Sequence, residues 1–580
     1  MSDSTVETTT TIQTKSDPTF LIADDKNHWF DRWCEKIGDN LSSILVKETR
    51  QAVKSRQFFW SYILLIVAVT SWTCIGIAIP EYERARVLLA GYLIILGFPL
   101  GIIIPFSAYR SLAREFEDGT IQLISITTMK PYQIVVGKFA SAILQLLTYL
   151  AILAPCILFT NMLPGISFNV LVFSLILCVC GSITLINLGL FLAGAFRSRT
   201  LSVGVSLLLV LALGFSYFLY CIFIGEQSSR MGFSFNFQDK DTQLGLFAGF
   251  GSGLTSAALF LVAAASQISF PSDNRSTLIR IVMLVQLFVF VGFVAGVLDV
   301  SGNIEVDMVI VGATMFLGHY WLIMGFLMTG ETGQISERVR RSLPKTTFGR
   351  SFFSLLMPGP GRGYLFAMSV LWGTSLVLIL LGINRDALVS SETLAEIRGG
   401  TGGSRFGDEN HIIACLASSV FVTFFVSLNF VFTRMMRKRS NAWGQDMGPF
   451  VSLISGLIFF LLITIGSVVL NALFYYNDFM DEVPLGLNWY YLTIEVGQGS
   501  NLFDGSLGVF AGLTLITIGL FVYCVRISCR ELLYSRILVP DRVKIEQDKE
   551  GEKSDSNVPE GESIEDIFGR LDQPPSEQNS

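Results

Sequence analysis

The chain has 580 residues, of which 51% are apolar, 15% are charged and 47 are Phe. A surface of that composition does not stay soluble in water, so a water-soluble globular enzyme is excluded and lipid is the solvent for most of the molecule. The net charge of -6 sits mainly in the tails and connecting loops, so no nucleic-acid partner is expected.

A helix needs about 20 apolar residues to cross roughly 30 Å of hydrocarbon. Windows of that kind predict twelve spans: Phe59 to Ile79, Val87 to Ser107, Phe139 to Thr160, Phe168 to Gly194, Leu201 to Ile224 and Leu244 to Ser269, then Ile281 to Leu298, Met308 to Met328, Tyr364 to Ile383, His411 to Phe432, Pro449 to Leu473 and Leu507 to Val525. The expected fold class is all-α, a polytopic transmembrane bundle. Some 58 largely polar residues precede the first apolar run, so no cleavable signal peptide is expected. With the N-terminus inside, 34 of the 41 Lys and Arg fall on the cytoplasmic side and 7 outside. Basic residues are retained inside, so both termini are expected to be cytoplasmic in a cell (inner) membrane. The last outer loop, with Asp478, Asp481, Glu482, Glu495 and Asp504, agrees with that sidedness.

Before the first span, Leu41, Ile44, Leu45 and Ala52 alternate with Lys47, Glu48, Arg50, Lys54 and Arg56. The pattern predicts an amphipathic helix lying in the membrane interface. The loop between spans 2 and 3 runs Glu115-Phe116-Glu117-Asp118-Gly119-Thr120 and continues to Lys130-Pro131 and Gly137-Lys138. Its acids mark a polar end, Gly119 supplies a sharp turn and Thr120 is placed to cap a following helix. Ile121, Leu123, Ile124 and Ile126 give that helix a short apolar face, and Lys130-Pro131 ends it. A helix held in this way to two spans would pass force from a cytoplasmic partner into both.

These residues resemble the type-2 (exporter-like) permeases of ABC transporters. The signature of that family in the same loop is Glu-x-Glu-x-Gly-Thr-Leu-Glu-Leu-Leu, a Thr-Pro turn, then Ile-Leu-Leu-Gly-Lys. Glu115, Glu117, Gly119, Thr120, Leu123, Thr127, Ile134, Gly137 and Lys138 match it without a gap, while Gln122 and Thr128 depart from it. The segment Leu45-Val46-Lys47-Glu48-Thr49-Arg50 is similar to the Leu-x-Lys-Glu-x-Arg opening of such permeases. The likeness covers residues 41–270, the extent of one six-span permease unit. It implies that Glu115, Glu117, Asp118, Gly119, Thr120 and Leu123 form the coupling element against an ATPase, that Lys138 anchors span 3, and that Lys47, Glu48 and Arg50 belong to the connecting helix. It also implies a separately encoded ATP-binding subunit, and as further partners membrane lipid and a second permease subunit or second copy of the chain. Residues 1–40 read as a cytoplasmic tail.

Spans 7 to 12, within residues 271–530, repeat the in-out count without repeating the motif. They are either a diverged permease unit or an accessory bundle. Their inner loop carries Glu331, Phe352-Phe353-Ser354-Leu355-Leu356-Met357, which reads as another interfacial helix, and the turn Pro358-Gly359-Pro360-Gly361-Arg362-Gly363. The basic cluster Arg434 to Arg439 reads as a positive-inside anchor. Residues 531–580 read as an acidic disordered tail, with a short helix around Ile564 to Leu571.

The predicted spans hold no Asp, Glu, Lys or Arg well inside them, where each would cost about 2.5–3.5 kcal/mol to insert. A proton- or sodium-coupled carrier normally keeps one there. His319 in span 8 is the nearest candidate for a relay, and the plainer reading is a hydrogen bond between helices. Gln145, Asn187, Gln286 and Asn429 read as polar glue of the same kind. The nine Cys have no metal-ligand or redox spacing, and Cys178 and Cys180 read as buried thiols. No Gly-x-x-x-x-Gly-Lys-Ser/Thr phosphate loop occurs, and the glycines of 359–363 and 399–403 lack the strand-to-helix setting of a phosphate site. The expected role is therefore transport without an ATPase or cofactor in this chain, ATP being bound by the partner. The alternatives are a non-transporting scaffold or assembly factor and, less favoured, a secondary carrier using His319. The uncharged interior suits lipid-like or amphiphilic cargo.

Overall fold

The computed structural model describes residues 43–121, 129–164, 166–195, 199–229, 238–270, 273–300, 306–341, 346–397, 410–441, 448–474, 487–491, 493, 506–533 and 536–537. Among these, twelve helices are long and apolar enough to cross a membrane. Each contains most of one window predicted from sequence. The predicted helices around Thr120 to Ile126 and Ile564 to Leu571, the glycines 399–403 and the acids of the last outer loop lie wholly or mostly outside the described residues.

The connecting helix occupies Ser43–Val53. Span 1 follows as Arg56–Gly76, with the Ser55 hydroxyl accepting the Phe58 N–H as its cap. Span 2 is one helical run in three parts, α-helical over Glu81–Phe98, π-helical over Pro99–Ile103 and α-helical again over Ile104–Glu117. The π turn lies between two prolines, starting at Pro99 and ending just before Pro105. In that wider register Leu100 would receive its hydrogen bond from residue 105, but Pro105 has no N–H, and the Ser182 hydroxyl of span 4 donates to the Leu100 carbonyl instead, at 2.8 Å. Spans 3 to 6 are Pro131–Asn161, Phe168–Ala195, Arg199–Ser229 and Lys240–Ile268.

Spans 7 and 8 are Thr277–Val300 and Val306–Thr329. A short helix, Thr347–Leu355, carries the exposed Phe352 and Phe353 where the sequence predicts an interfacial helix. Spans 9 to 12 are Pro360–Ile397, Asn410–Asn441, Pro449–Phe474 and Ser506–Leu533. The strand content among the described residues is a two-residue parallel pairing, Gln334 with Arg536 and Ile335 with Ile537, which ties the loop after span 8 to the segment after span 12.

Two principal clusters of buried apolar side chains form. One draws on residues between Leu65 and Ile268, the other on residues between Leu259 and Cys524, and span 6 contributes to both. Polar side chains add specific cross-links. The Asn429 amide donates to Thr329 and Ser452 at 3.1 and 3.0 Å and accepts from Ser455, joining spans 8, 10 and 11. Gln286 donates to Ser256 and accepts from Tyr320, joining spans 6, 7 and 8. Gln145 and Asn187 instead donate to Ser141 and Ile183, the carbonyls one turn back in their own helices, so the reading of them as interhelical glue is corrected. An acceptor within the same helix was in reach and needed no partner. Asn429→Leu removes a buried amide that donates to two hydroxyls and accepts from a third. We expect it to cost about 1–2 kcal/mol, measured as the midpoint of thermal unfolding in detergent.

Candidate functional site

Successive spans alternate in direction, so the end of span 2, the start of span 3, the end of span 8 and the start of span 9 share one face of the bundle. On that face the connecting helix, span 2 and span 3 meet around Lys138. Gly137 allows the approach, since a Cβ there would lie 3.0 Å from Ile44 of the connecting helix. The Lys138 ammonium lies 2.8 Å from Glu48 Oε1, 2.8 Å from Ser111 Oγ and 3.0 Å from Glu115 Oε1. The Ser111 hydroxyl donates in turn to Glu48 Oε2 at 2.8 Å. An ammonium has three donors, and all three are matched. The side chains of Lys138, Glu48 and Glu115 are 2%, 11% and 14% exposed, so solvent does little to screen them. Lys47 and Arg50, on the same connecting helix, face outward.

The sequence places Glu115 and Glu117 in a loop, and here the structure differs: both belong to the last turn of span 2, because the helix runs on beyond the apolar window. Hydropathy cannot see that extension, whereas the i, i+4 spacing of Ser111 and Glu115 is a helical signal that puts both on one face. Glu117 accepts a 2.6 Å hydrogen bond from the Ser202 hydroxyl, and the Tyr109 hydroxyl donates to the Ser202 carbonyl at 3.1 Å. Span 5 thereby joins the cluster, which sequence reasoning missed. Asp118 closes the helix through its N–H to Arg114, and Gly119 turns the chain at φ +68, a conformation that favours glycine. Both are exposed, and a Cβ on Gly119 would meet nothing within 4 Å. The Thr120 hydroxyl donates back to the Glu115 carbonyl at 3.3 Å and fastens the turn. The N–H groups that Thr120 would cap, and Leu123 itself, fall at 122–128 outside the described residues. Ile121, the first apolar residue after the turn, is buried. Lys130 is extended as the residue before Pro131, and its N–H is held by the Gln133 side chain at 3.0 Å.

A second buried charge cluster stands on the same face in the other half. Arg280 is fully buried. Its guanidinium donates to the carbonyls of Leu355 and Met357 and to Glu331 Oε2, the last at 2.6 Å. Glu331 also accepts the Ser276 hydroxyl and the Gly359 N–H, at 3.0 and 2.9 Å. Glu531 of span 12 accepts the Gly361 N–H at 2.9 Å. The Gly-rich turn is thus filled by the chain's own carboxylates. A Cβ at Gly359 or Gly361 would stand 2.5 or 2.6 Å from a Glu531 oxygen, and one at Gly363 would lie 2.7 Å from Met328. Backbone N–H groups at the start of span 9 favour an anion, and Glu531 supplies it from a position 170 residues along the chain. No local sequence signal reports such a pairing.

His319 bonds to the Met315 carbonyl through Nδ1 and to the Tyr490 hydroxyl through Nε2, at 2.7 and 2.5 Å. A carbonyl only accepts, so Nδ1 carries a proton toward Met315, while the Tyr490 hydroxyl can serve either role toward Nε2. Trp489 stacks 4.4 Å from the imidazole centroid and donates to Ser418. Tyr490 through His319 and Trp489 through Ser418 thereby anchor the segment before span 12 to spans 8 and 10.

The fold and these clusters define a multi-pass helical membrane protein with two charge-locked helix junctions on one face. Comparison with protein-family models, curated proteins and solved structures finds no match.

Proposed function

We propose that the chain is the membrane-spanning permease subunit of an ATP-driven transporter of the exporter type, worked by a separate nucleotide-binding subunit that docks at the turn after span 2. The observation that carries this reading is the Lys138 junction. The motif residues Glu48, Glu115 and Lys138, far apart in sequence, converge on one buried ammonium directly behind the exposed Asp118-Gly119 turn. A push on that turn acts on the connecting helix and spans 2 and 3 through Lys138, and on span 5 through Glu117. Cytoplasmic sidedness of this face, and of both termini, follows the distribution of basic residues.

A photo-crosslinking residue at Asp118 in native membranes tests the docking. The reading expects capture of a subunit carrying a phosphate loop, and none from the same residue at Met162, which is exposed on the opposite face. Capture from both positions or from neither counts against it. Gly119→Pro is expected to abolish transport without unfolding the chain, since proline cannot adopt φ +68 and the position is open. Retained ATP-dependent transport in that variant, measured in vesicles, contradicts the role given to the turn. The scaffold reading predicts no transport at all. The carrier reading predicts an ATP-independent, pH-dependent flux that His319→Ala removes.

A further inference from the structure

A cavity of about 330 Å³ opens among spans 2, 4, 5 and 6, in the half of the first bundle farther from the Lys138 junction. Its size is at the lower end of the roughly 300–1,000 Å³ of ligand pockets. The π turn of span 2 forms one wall through Leu100 and Gly101. Gly101, Gly181 and Gly249 also line it, and a Cβ added at any of the three would meet nothing within 4 Å, so glycine creates the space rather than filling a close contact.

The lining has no Asp, Glu, Lys, Arg or His. It does have hydroxyls, at Ser174, Ser182, Thr184, Ser216, Tyr217 and Tyr220. Each of them donates to a main-chain carbonyl, Tyr217 to Ile94 and Tyr220 to Leu93 at 3.1 Å, Ser182 to Leu100 at 2.8 Å, and the others to carbonyls of Val170, Gly253 and Leu213. The hydroxyl protons are spent, so apart from the weak thiol donors of Cys178 and Cys180 the cavity presents only hydroxyl lone pairs and no charge to an occupant, a poor match for a charged headgroup. Leu177 and Phe223 at its edge are 38% and 48% exposed, continuous with the apolar surface that faces lipid.

We propose that this cavity is a binding site for one acyl chain of a membrane phospholipid, which enters sideways from the bilayer and leaves its headgroup outside. The chemistry of the cavity holds whatever docks at the Asp118-Gly119 turn. The full chain, reconstituted in phosphatidylcholine vesicles containing phosphatidylcholine with a diazirine on one acyl chain, is irradiated and the label mapped by mass spectrometry. Label is expected on Cys178, Tyr217 and Tyr220 and is expected to fall at least tenfold in Gly101→Leu/Gly181→Leu, while label at the exposed Leu207 and Leu211 stays unchanged. The surface label also reports that the variant is folded, and Gly249→Leu alone serves if the double variant is not. Equal labelling in wild type and a folded filled variant overturns the proposal. Labelling of the cavity by a free fatty-acid diazirine but not by the phospholipid probe overturns its lipid source.

Discussion

Lys138→Met is expected to lower the stability of the first bundle by about 3–5 kcal/mol, because it leaves Glu48 and Glu115 facing each other without the cation that both engage. The size follows from burial. An exposed ion pair contributes about 0–1 kcal/mol, but with side-chain exposures of 2%, 11% and 14% this cluster falls in the buried class, where removing one partner strands the others. Thermal unfolding in detergent measures the loss, and Lys130→Met on the exposed side of the same helix start, within about 0.5 kcal/mol of wild type, is the control. Glu48→Gln/Glu115→Gln added to Lys138→Met is expected to restore much of the stability, since no net charge then remains at the junction. A single Lys138→Met variant as stable as wild type would mean that the ammonium is dispensable and that force has another route from the turn.

Arg280→Met should be comparably damaging, again about 3–5 kcal/mol. It strips Glu331 of its cation and leaves the carbonyls of Leu355 and Met357 without the donor they share. Its signature is local as well as global. The amides of Gly359 and Gly361 are held by Glu331 and Glu531, so hydrogen exchange at Gly359 should accelerate more than at Gly361, whose carboxylate comes from span 12. Equal acceleration at both would mean that the turn opens as one unit. Arg280→Lys keeps the charge but not the fork, and is expected to recover only part of the loss.

The twelve spans were legible because each is a run of apolar side chains long enough to cross hydrocarbon, and that requirement acts on local sequence alone. The ends were less legible. Span 2 continues through Glu115 and Glu117, where hydropathy stops but the helix, stabilised by Lys138 and Ser202, does not. The turn at Gly119 could be read from the glycine itself, and the structure adds the positive φ that explains it. The Lys138 junction could not be read. Glu48, Ser111, Glu115 and Lys138 belong to three separate helices, and although Glu48, Glu115 and Lys138 stand in the motifs read from the sequence, nothing there pairs them with one another or with Ser111. The same holds for Arg280, Glu331 and Glu531, where the Gly-rich turn reads only as a turn until the distant carboxylate that fills it is known. Likewise the cavity beside the π turn needs Gly101, Gly181 and Gly249 to face one another from three spans, which spacing along one helix does not encode.

Span 2 carries both ends of the account. Gly101 at the cavity and Glu115 at the junction are separated by about 20 Å of one helix, with the π turn and Pro105 near the cavity end. A π turn closes fewer regular hydrogen bonds than the helix around it, so it is the place where a tilt imposed at Glu115 can be taken up. On the proposed function, movement of the turn at Gly119 would then widen or narrow the space beside Gly101.

The most direct measurement is purification of the full chain from its native membranes in mild detergent, followed by identification of what stays bound and an assay for ATP hydrolysis. A subunit with a phosphate loop is expected in fixed ratio to this chain, hydrolysing ATP, and lost or uncoupled when Gly119→Pro is combined with Glu117→Ala. Recovery of the chain with no ATP-hydrolysing subunit, together with undiminished function of that double variant in membranes, would contradict the proposed function.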